Sequence, residues 1–205
     1  EYGILIKDAE SLETAHKLKT VIFDKTGTLT KGQPEVTDIV GNVLPLAASL
    51  EKGSEHSLAE TIVRAADQNR VNLLKVKKFK AIAGHGVEGE INGKKVVLGN
   101  RRLMEKEKIS ITDRQKEIDK LEQEGKTVMI LGSDGKLVGL IAVADTLKET
   151  AKEGVEKLQK MGIEVAMITG DNERTAQAIA KKVGIKRVLA EVLPDEKEAE
   201  VRKIQ

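Results

Sequence analysis

The chain has 205 residues, 40% of them hydrophobic and 33% charged, with a formal net charge of +2 and no cysteine. Such a composition describes one large or two small globular domains; it excludes disulfides and thiolate metal ligands, and no apolar run reaches the ~20 residues that cross a bilayer. The charges are interspersed and the only aromatics are Tyr2, Phe23 and Phe79, which argues against a nucleic-acid partner.

In chain order, the charges of Lys7, Asp8 and Glu10 soon interrupt the apolar start at residues 3–6, unlike a signal peptide. Residues 20–24, Thr-Val-Ile-Phe-Asp, read as a short buried parallel strand that ends in the carboxylate of Asp24. Residues 25–32, rich in Thr and Gly, read as a loop. A strand at 35–40 leads to a helix at 43–50, interrupted early by Pro45. A second helix at 57–69 places Leu58, Ile62 and Ala65 on one face. Strands follow at 73–83, 87–91 and 94–98, the last two joined by the hairpin turn Asn92-Gly93. Phe79 alternates within its strand and is expected in the core. Helices at 101–108 and 112–124, the second capped by Gly125, precede a strand at 127–131. Strands flanked by helices predict an α+β domain with a mostly antiparallel sheet.

Beyond the turn Ser133-Asp134-Gly135 the pattern alternates. A strand at 137–144 ends at Asp145, and a helix at 148–161 is capped by Gly162. A strand at 163–168 ends in Thr169-Gly170-Asp171, and a helix at 172–183 is capped by Gly184. A strand at 188–192 and a helix at 195–204 complete the series. This alternation predicts an α/β doubly wound parallel sheet, whose functional site lies at the carboxyl ends of the strands. Asp24, Thr169 and Asp171 all fall on that rim. The expected architecture is one parallel-sheet domain made of residues 1–32 and 133–205. Residues 33–132 are inserted through two hinges, near 32–34 and 132–135.

A carboxylate can act as a nucleophile and form an acyl-phosphate. Phosphoryl transfer otherwise needs in-line positioning and cations or donors around the equatorial oxygens. Asp24-Lys25-Thr26-Gly27-Thr28 supplies these parts. Gly27 lets backbone N–H groups approach a phosphate, and the Asp24 carboxylate and Thr26 carbonyl are hard oxygen ligands for Mg²⁺. Thr169 can donate its hydroxyl, and Lys197, three residues after Pro194, can neutralise the phosphoryl charge. Taken singly, each feature is ordinary: an Asp after a strand caps a helix, a Thr-Gly-Asp turns the chain, a lysine is solvated. Their joint arrangement carries the reading.

Asp24-Lys25-Thr26-Gly27-Thr28-Leu29-Thr30 resembles the phosphorylation motif of the P-type ATPases, a branch of the haloacid-dehalogenase-like fold. Thr169-Gly170-Asp171 resembles their second motif and Pro194-Asp195-Glu196-Lys197 their third, in the family's order. The resemblance implies phosphorylation of Asp24 by ATP, support of the phosphate by Lys197, and Mg²⁺ as cofactor. Asp145-Thr146 resembles a segment lining that site, with Thr28, Gly170 and Asp171 on the same phosphate or hinge side.

Three inserted segments resemble the nucleotide-binding domain of the heavy-metal-transporting subgroup: Ser54-Glu55-His56-Ser57, Gly84-His85-Gly86 and Gly99-Asn100. The contacts implied are Glu55, His56, Gly84, Gly86, Gly99 and Asn100. Ser57 stands where the subgroup has proline, and serine there can cap the following helix. The first residues, with Leu12-Glu13, resemble the linker that leaves a pump's membrane segment. The family's fourth motif, Gly-Asp-Gly-x-Asn-Asp, does not occur, and the chain stops at Gln205, in the helix that should precede it. The resemblance therefore implies a soluble portion of a pump, lying on the cytoplasmic face of the membrane. The membrane and actuator domains of that pump are its partners, and the transported metal, copper(I) by closest resemblance, binds elsewhere. Such a portion is expected to bind nucleotide with little or no turnover. Two alternatives compete: a stand-alone phosphatase of the same fold, and a non-catalytic nucleotide-binding regulator. The phosphatase would carry a general acid two residues after the nucleophile, where this chain has Thr26.

Overall fold

The computed structural model describes residues 5, 8–54 and 56–204. Glu55 and most of the expected linker at the start lie outside the described residues. Two sheets organise the chain. After helix α1 (Ala9–Ala15), strand β1 (Thr20–Asp24) enters the first, and its β-branched and aromatic residues suit a pleated, covered surface. It pairs in parallel with β8 (Glu164–Ile168), which pairs in parallel with β9 (Arg187–Leu189), in the order β1-β8-β9. Helices α6 (Ala151–Lys160) and α7 (Glu173–Val183) cover this sheet through Val155, Ala176, Ile179, Ala180 and Val183, packed on Val165 and Met167. Asn172 caps α7 by accepting from the Thr175 N–H at 3.0 Å, and Gly184 ends it at φ +80°, where a side chain would be strained. Helix α8 (Lys197–Arg202) follows Pro194.

The second sheet is antiparallel and six-stranded, in the order β2-β7-β6-β5-β4-β3. Its strands are β2 (Glu35–Val40), β3 (Val76–Ile82), β4 (Gly86–Ile91), β5 (Lys94–Gly99), β6 (Thr127–Ser133) and β7 (Lys136–Ala144). Helices α2 (Leu44–Glu51) and α3 (Ser57–Gln68) cover one face, packing Leu50, Ile62 and Ala66 on Leu98, Leu131 and Ile141. Helices α4 (Arg101–Lys106) and α5 (Gln115–Gln123) cover the other, packing Leu103, Ile118 and Leu121 on Val97, Ile130 and Leu140. Three-layer packing of this kind buries both faces of the central strands.

That burial corrects one expectation. The strand expected at 137–144 belongs to the antiparallel sheet, not the parallel one. It pairs with β6 through the tight turn at Asp134 (φ +48°) and Gly135 (φ +75°), and with β2 on its other side. Two positive-φ residues make a hairpin turn, and a hairpin holds its strands antiparallel. The uninterrupted apolar run Leu140–Val143, read as a mark of a parallel strand, arises because α2/α3 and α4/α5 cover the strand from both sides. The chain therefore passes between the sheets at residues 30–34 and 144–147, where Thr30 bridges to Leu147, and not at 132–135. Phe79 also departs from expectation. It is 37% exposed on edge strand β3 with its ring against Gly53 just past α2, because a bulge between Lys77 and Lys80, with Lys78 at φ +51°, breaks the alternation behind that expectation.

Candidate active site

The parallel pairing sets Asp24 opposite Ile168, so Asp24 and Thr169 emerge at the same sheet edge. The Asp24 side chain is 44% exposed, and one carboxylate oxygen lies 2.8 Å from Lys197 Nζ. Its other oxygen accepts from the Thr26 N–H at 3.4 Å. The chain then makes one wide turn over Lys25–Leu29, with Gly27 at φ +76°. Thr26, Gly27 and Thr28 are exposed beside the carboxylate. One ammonium and one backbone N–H thus contact an accessible carboxylate, an arrangement able to stabilise a phosphoryl group in flight.

Lys25 turns away from that carboxylate. Its ammonium lies 2.7 Å from Asp171, and both side chains are largely buried. Asp171 also accepts from the hydroxyls of Thr127 at 2.7 Å and Thr169 at 3.0 Å. Burial pushes the Asp171 carboxyl up, but the Lys25 charge and these three hydrogen bonds outweigh it and hold it below the usual aspartate range. Thr169 is buried and its hydroxyl is committed to Asp171, while Gly170 lies exposed between them. Asp145, at the end of β7, accepts from Thr30 Oγ1 at 2.6 Å and from the N–H groups of Gly32 and Gln33 at 3.0 and 3.1 Å.

A Mg²⁺ ion needs few protein ligands, one or two carboxylates with substrate phosphate and water. The exposed Asp24 carboxylate and the Thr26 carbonyl fit such a partial site. No group of three or more His, Asp or Glu residues stands ready for a metal among the described residues.

On the inserted side, His56 and not Ser57 occupies the capping position of α3. Its Nδ1 accepts from the Leu58 N–H at 3.2 Å, which leaves the ring proton on Nε2 as an outward donor. Gly86 and Gly99 face each other across β4 and β5. A Cβ on Gly86 would meet Leu98 O at 2.1 Å, and one on Gly99 would meet His85 O at 2.1 Å. Their backbones cross too closely for a side chain. Asn100 holds this corner. It donates to Gly84 O at 2.8 Å and caps α4 by accepting from the Leu103 N–H at 3.1 Å. Gly84 abuts Leu193, next to Pro194, so the glycine turn meets the parallel-sheet unit.

Sequence reasoning missed Glu51. It is 4% exposed at the end of α2, and its Oε2 has no hydrogen-bond partner. Burial pushes its carboxyl up to about 7, against the opposing hydrogen bond from Ser54. The Ser54 hydroxyl also accepts from the His56 N–H at 3.4 Å, so Glu51 adjoins the His56 loop. The available signal was a carboxylate in helical register with Ala47 and Ala48, both fully buried.

Haloacid dehalogenase-like hydrolase is the family whose pattern matches residues 18–205, and the chain belongs to it. Within that class its similarities run to metal-transporting P-type ATPases. It is 48% identical over 207 residues to a copper-exporting P-type ATPase of Staphylococcus haemolyticus, covering 100% of this chain and 26% of that protein. It is 43% identical over 212 residues to the copper-exporting P-type ATPase of Bacillus subtilis, again covering 100% and 26%. The chain thus spans about a quarter of the length of these curated relatives. Among solved structures, the catalytic domain of the CPx-ATPase CopB-B, described with its conformational changes upon nucleotide binding, superposes with a TM-score of 0.73 at 28% identity. That match covers 98% of this chain and 71% of the other. A zinc-transporting PIB-type ATPase in the E2.Pi state matches with a TM-score of 0.64 at 34% identity, covering 98% of this chain and 33% of that one.

Proposed function

We propose that this chain is the ATP-binding and phosphorylation part of a heavy-metal-exporting P-type ATPase, with copper(I) as cargo. The observation that carries the reading is the accessible Asp24 carboxylate at a parallel strand end, 2.8 Å from Lys197 and beside the Gly27 turn. The names of the relatives support copper. The inserted unit, taken as residues 33–144 in keeping with the pairing of β2 and β7, holds ATP, and residues 1–32 and 145–205 carry the acceptor. The remaining pump domains and the metal path lie outside this chain, which works at the cytoplasmic face.

An Asp24 oxygen attacks the γ-phosphorus, the bond from that phosphorus to the β–γ bridging oxygen breaks, and ADP departs with the electron pair. Lys197 stabilises the charge on the equatorial oxygens, and the Thr26 N–H adds a donor. The Asp24 carboxylate and Thr26 carbonyl would hold Mg²⁺, which would supply further charge neutralisation. At the purine, Nε2 of His56 offers a donor. Gly84, Gly86, Gly99 and Asn100 shape the turn that admits the sugar and phosphates. Thr26 leaves the position two residues after the nucleophile without a carboxyl acid, which disfavours the phosphatase reading.

Titration calorimetry tests the nucleotide half. Loss of one buried hydrogen bond in His56→Ala weakens ATP binding by about 1–3 kcal/mol. Unchanged affinity removes His56 from the site.

A further inference from the structure

We propose that Thr30 and Asp145 form a joint that transmits the orientation of the inserted unit to the phosphate-facing turn beside Asp24. Both act as positioning residues. The proposal deepens the phosphoryl-transfer reading and rests on it for its purpose, though not for its test.

Thr30 is 1% exposed and sits between the turn and the crossing strands. Its hydroxyl accepts from the Gly27 N–H at 3.2 Å and lies 3.1 Å from Lys25 O and 2.6 Å from Asp145 Oδ2. A hydroxyl has one proton, and the short contact to a carboxylate claims it, since O–H···O⁻ bonds run ~2.5–2.7 Å. Asp145 in turn accepts from Gly32 and Gln33, the first residues of the outgoing crossing. It heads the returning one, where Lys31 N–H bonds Thr146 O at 2.8 Å and Lys148 N–H bonds Leu29 O at 2.9 Å. Both chain crossings are therefore fastened to one carboxylate, and that carboxylate is fastened to the turn through one hydroxyl.

Two independent contacts reinforce the same path. A Cβ on Gly32 would lie 3.3 Å from Gly27 Cα, so the crossing presses on the turn itself. Lys148 Nζ donates to Gly27 O at 2.8 Å. A rotation of the inserted unit must change backbone angles at residues 31–34 and 145–147. With Asp145 and Thr30 in place that rotation moves the Gly27 N–H; without their link only the Gly32 and Lys148 contacts carry it and the movement is smaller.

The test uses the whole chain and no turnover. Glu122→Lys sets like charge against Arg101 and Arg174 and parts the two units far from the joint. Because the chain has no cysteine, spin labels on Lys106→Cys and Lys186→Cys report that parting cleanly. Amide hydrogen exchange at Gly27 by NMR reports the turn. With Thr30 native, parting the units raises Gly27 exchange by about tenfold. With Thr30→Ser, which keeps the hydroxyl, the response persists; with Asp145→Ala, which cuts the link but leaves the Gly27 N–H on the Thr30 hydroxyl, it is clearly weaker. An equal response in Asp145→Ala, or none with the native chain, overturns the proposal, whether or not Asp24 proves to be a phosphoryl acceptor.

Discussion

At the scale of single residues, Lys25, Asp171 and Glu51 show how differently buried charges are treated. The Lys25–Asp171 pair at 2.7 Å is buried, and Asp171 takes two further hydroxyl donors. Removing one partner of such a pair leaves an uncompensated charge. Lys25→Met is expected to cost about 3–5 kcal/mol in urea unfolding at neutral pH. Because the native Asp171 is held below its usual range, the pair contributes above about pH 4, where an unfolded aspartate ionises, and loses its contribution as pH falls through the lower native value. The deficit of Lys25→Met should therefore shrink in acid, and a deficit independent of pH would contradict the assignment. Glu51 has the opposite sign. Its native carboxyl titrates near 7, above the unfolded value, so its contribution is full below about pH 4.5 and is lost as pH rises through 7. The accumulated cost at pH 8 is on the order of 3 kcal/mol. Glu51→Gln removes it, so unfolding at pH 8 should show a more stable variant, with the gain absent at pH 4.5.

At this scale the sequence was legible where chemistry is local. Asp24, Thr169 and Asp171 sit at or just past strand ends that pairing of β1 with β8 brings to one rim, and Lys197 reaches Asp24 from the first turn of α8. Glu51 and Phe79 were not legible, because the burial of Glu51 is tertiary and Phe79 falls in a bulge that breaks the alternation of β3.

Among the elements, β7 carries the lesson. Its apolar run predicts burial on both faces and says nothing about which sheet provides it. The discriminating signal was the two-residue turn at Asp134-Gly135, which leaves no length for the crossover a parallel partner requires. The close approach of β2 and β7 depends on Gly139, where a Cβ would lie 2.0 Å from Val40 O. Gly139→Ala must displace backbone, and overpacking of a buried strand costs about 1–3 kcal/mol. Urea unfolding should detect that loss, and a variant as stable as the native chain would remove β7 from its place beside β2. Two helices begin three residues later than expected: α5 at Gln115, after a 3₁₀ turn at Thr112–Arg114, and α6 at Ala151, where the Lys148 N–H is bonded to Leu29 O outside the helix.

For the whole molecule, the two units meet chiefly through α5 and α7. Glu122 on α5 is buried and receives Arg101 at 2.8 Å, Arg174 at 3.4 Å and Asn172 at 3.3 Å, while Thr127 reaches Asp171. These polar contacts bring the glycine turn of the inserted unit against Leu193, in the approach to Lys197. On the proposed function, a nucleotide held by the inserted unit would be offered to Asp24 across a polar interface of the kind that opens and closes. The central claim is that Asp24 is the phosphoryl acceptor, and acid-quenched labelling with γ-³²P-ATP and Mg²⁺ tests it most directly. The account predicts a label at a small fraction of one per chain, confined to the Asp24 peptide, released by hydroxylamine as an acyl-phosphate is, and absent from Asp24→Asn. A hydroxylamine-resistant label, or one that survives in Asp24→Asn, would contradict it.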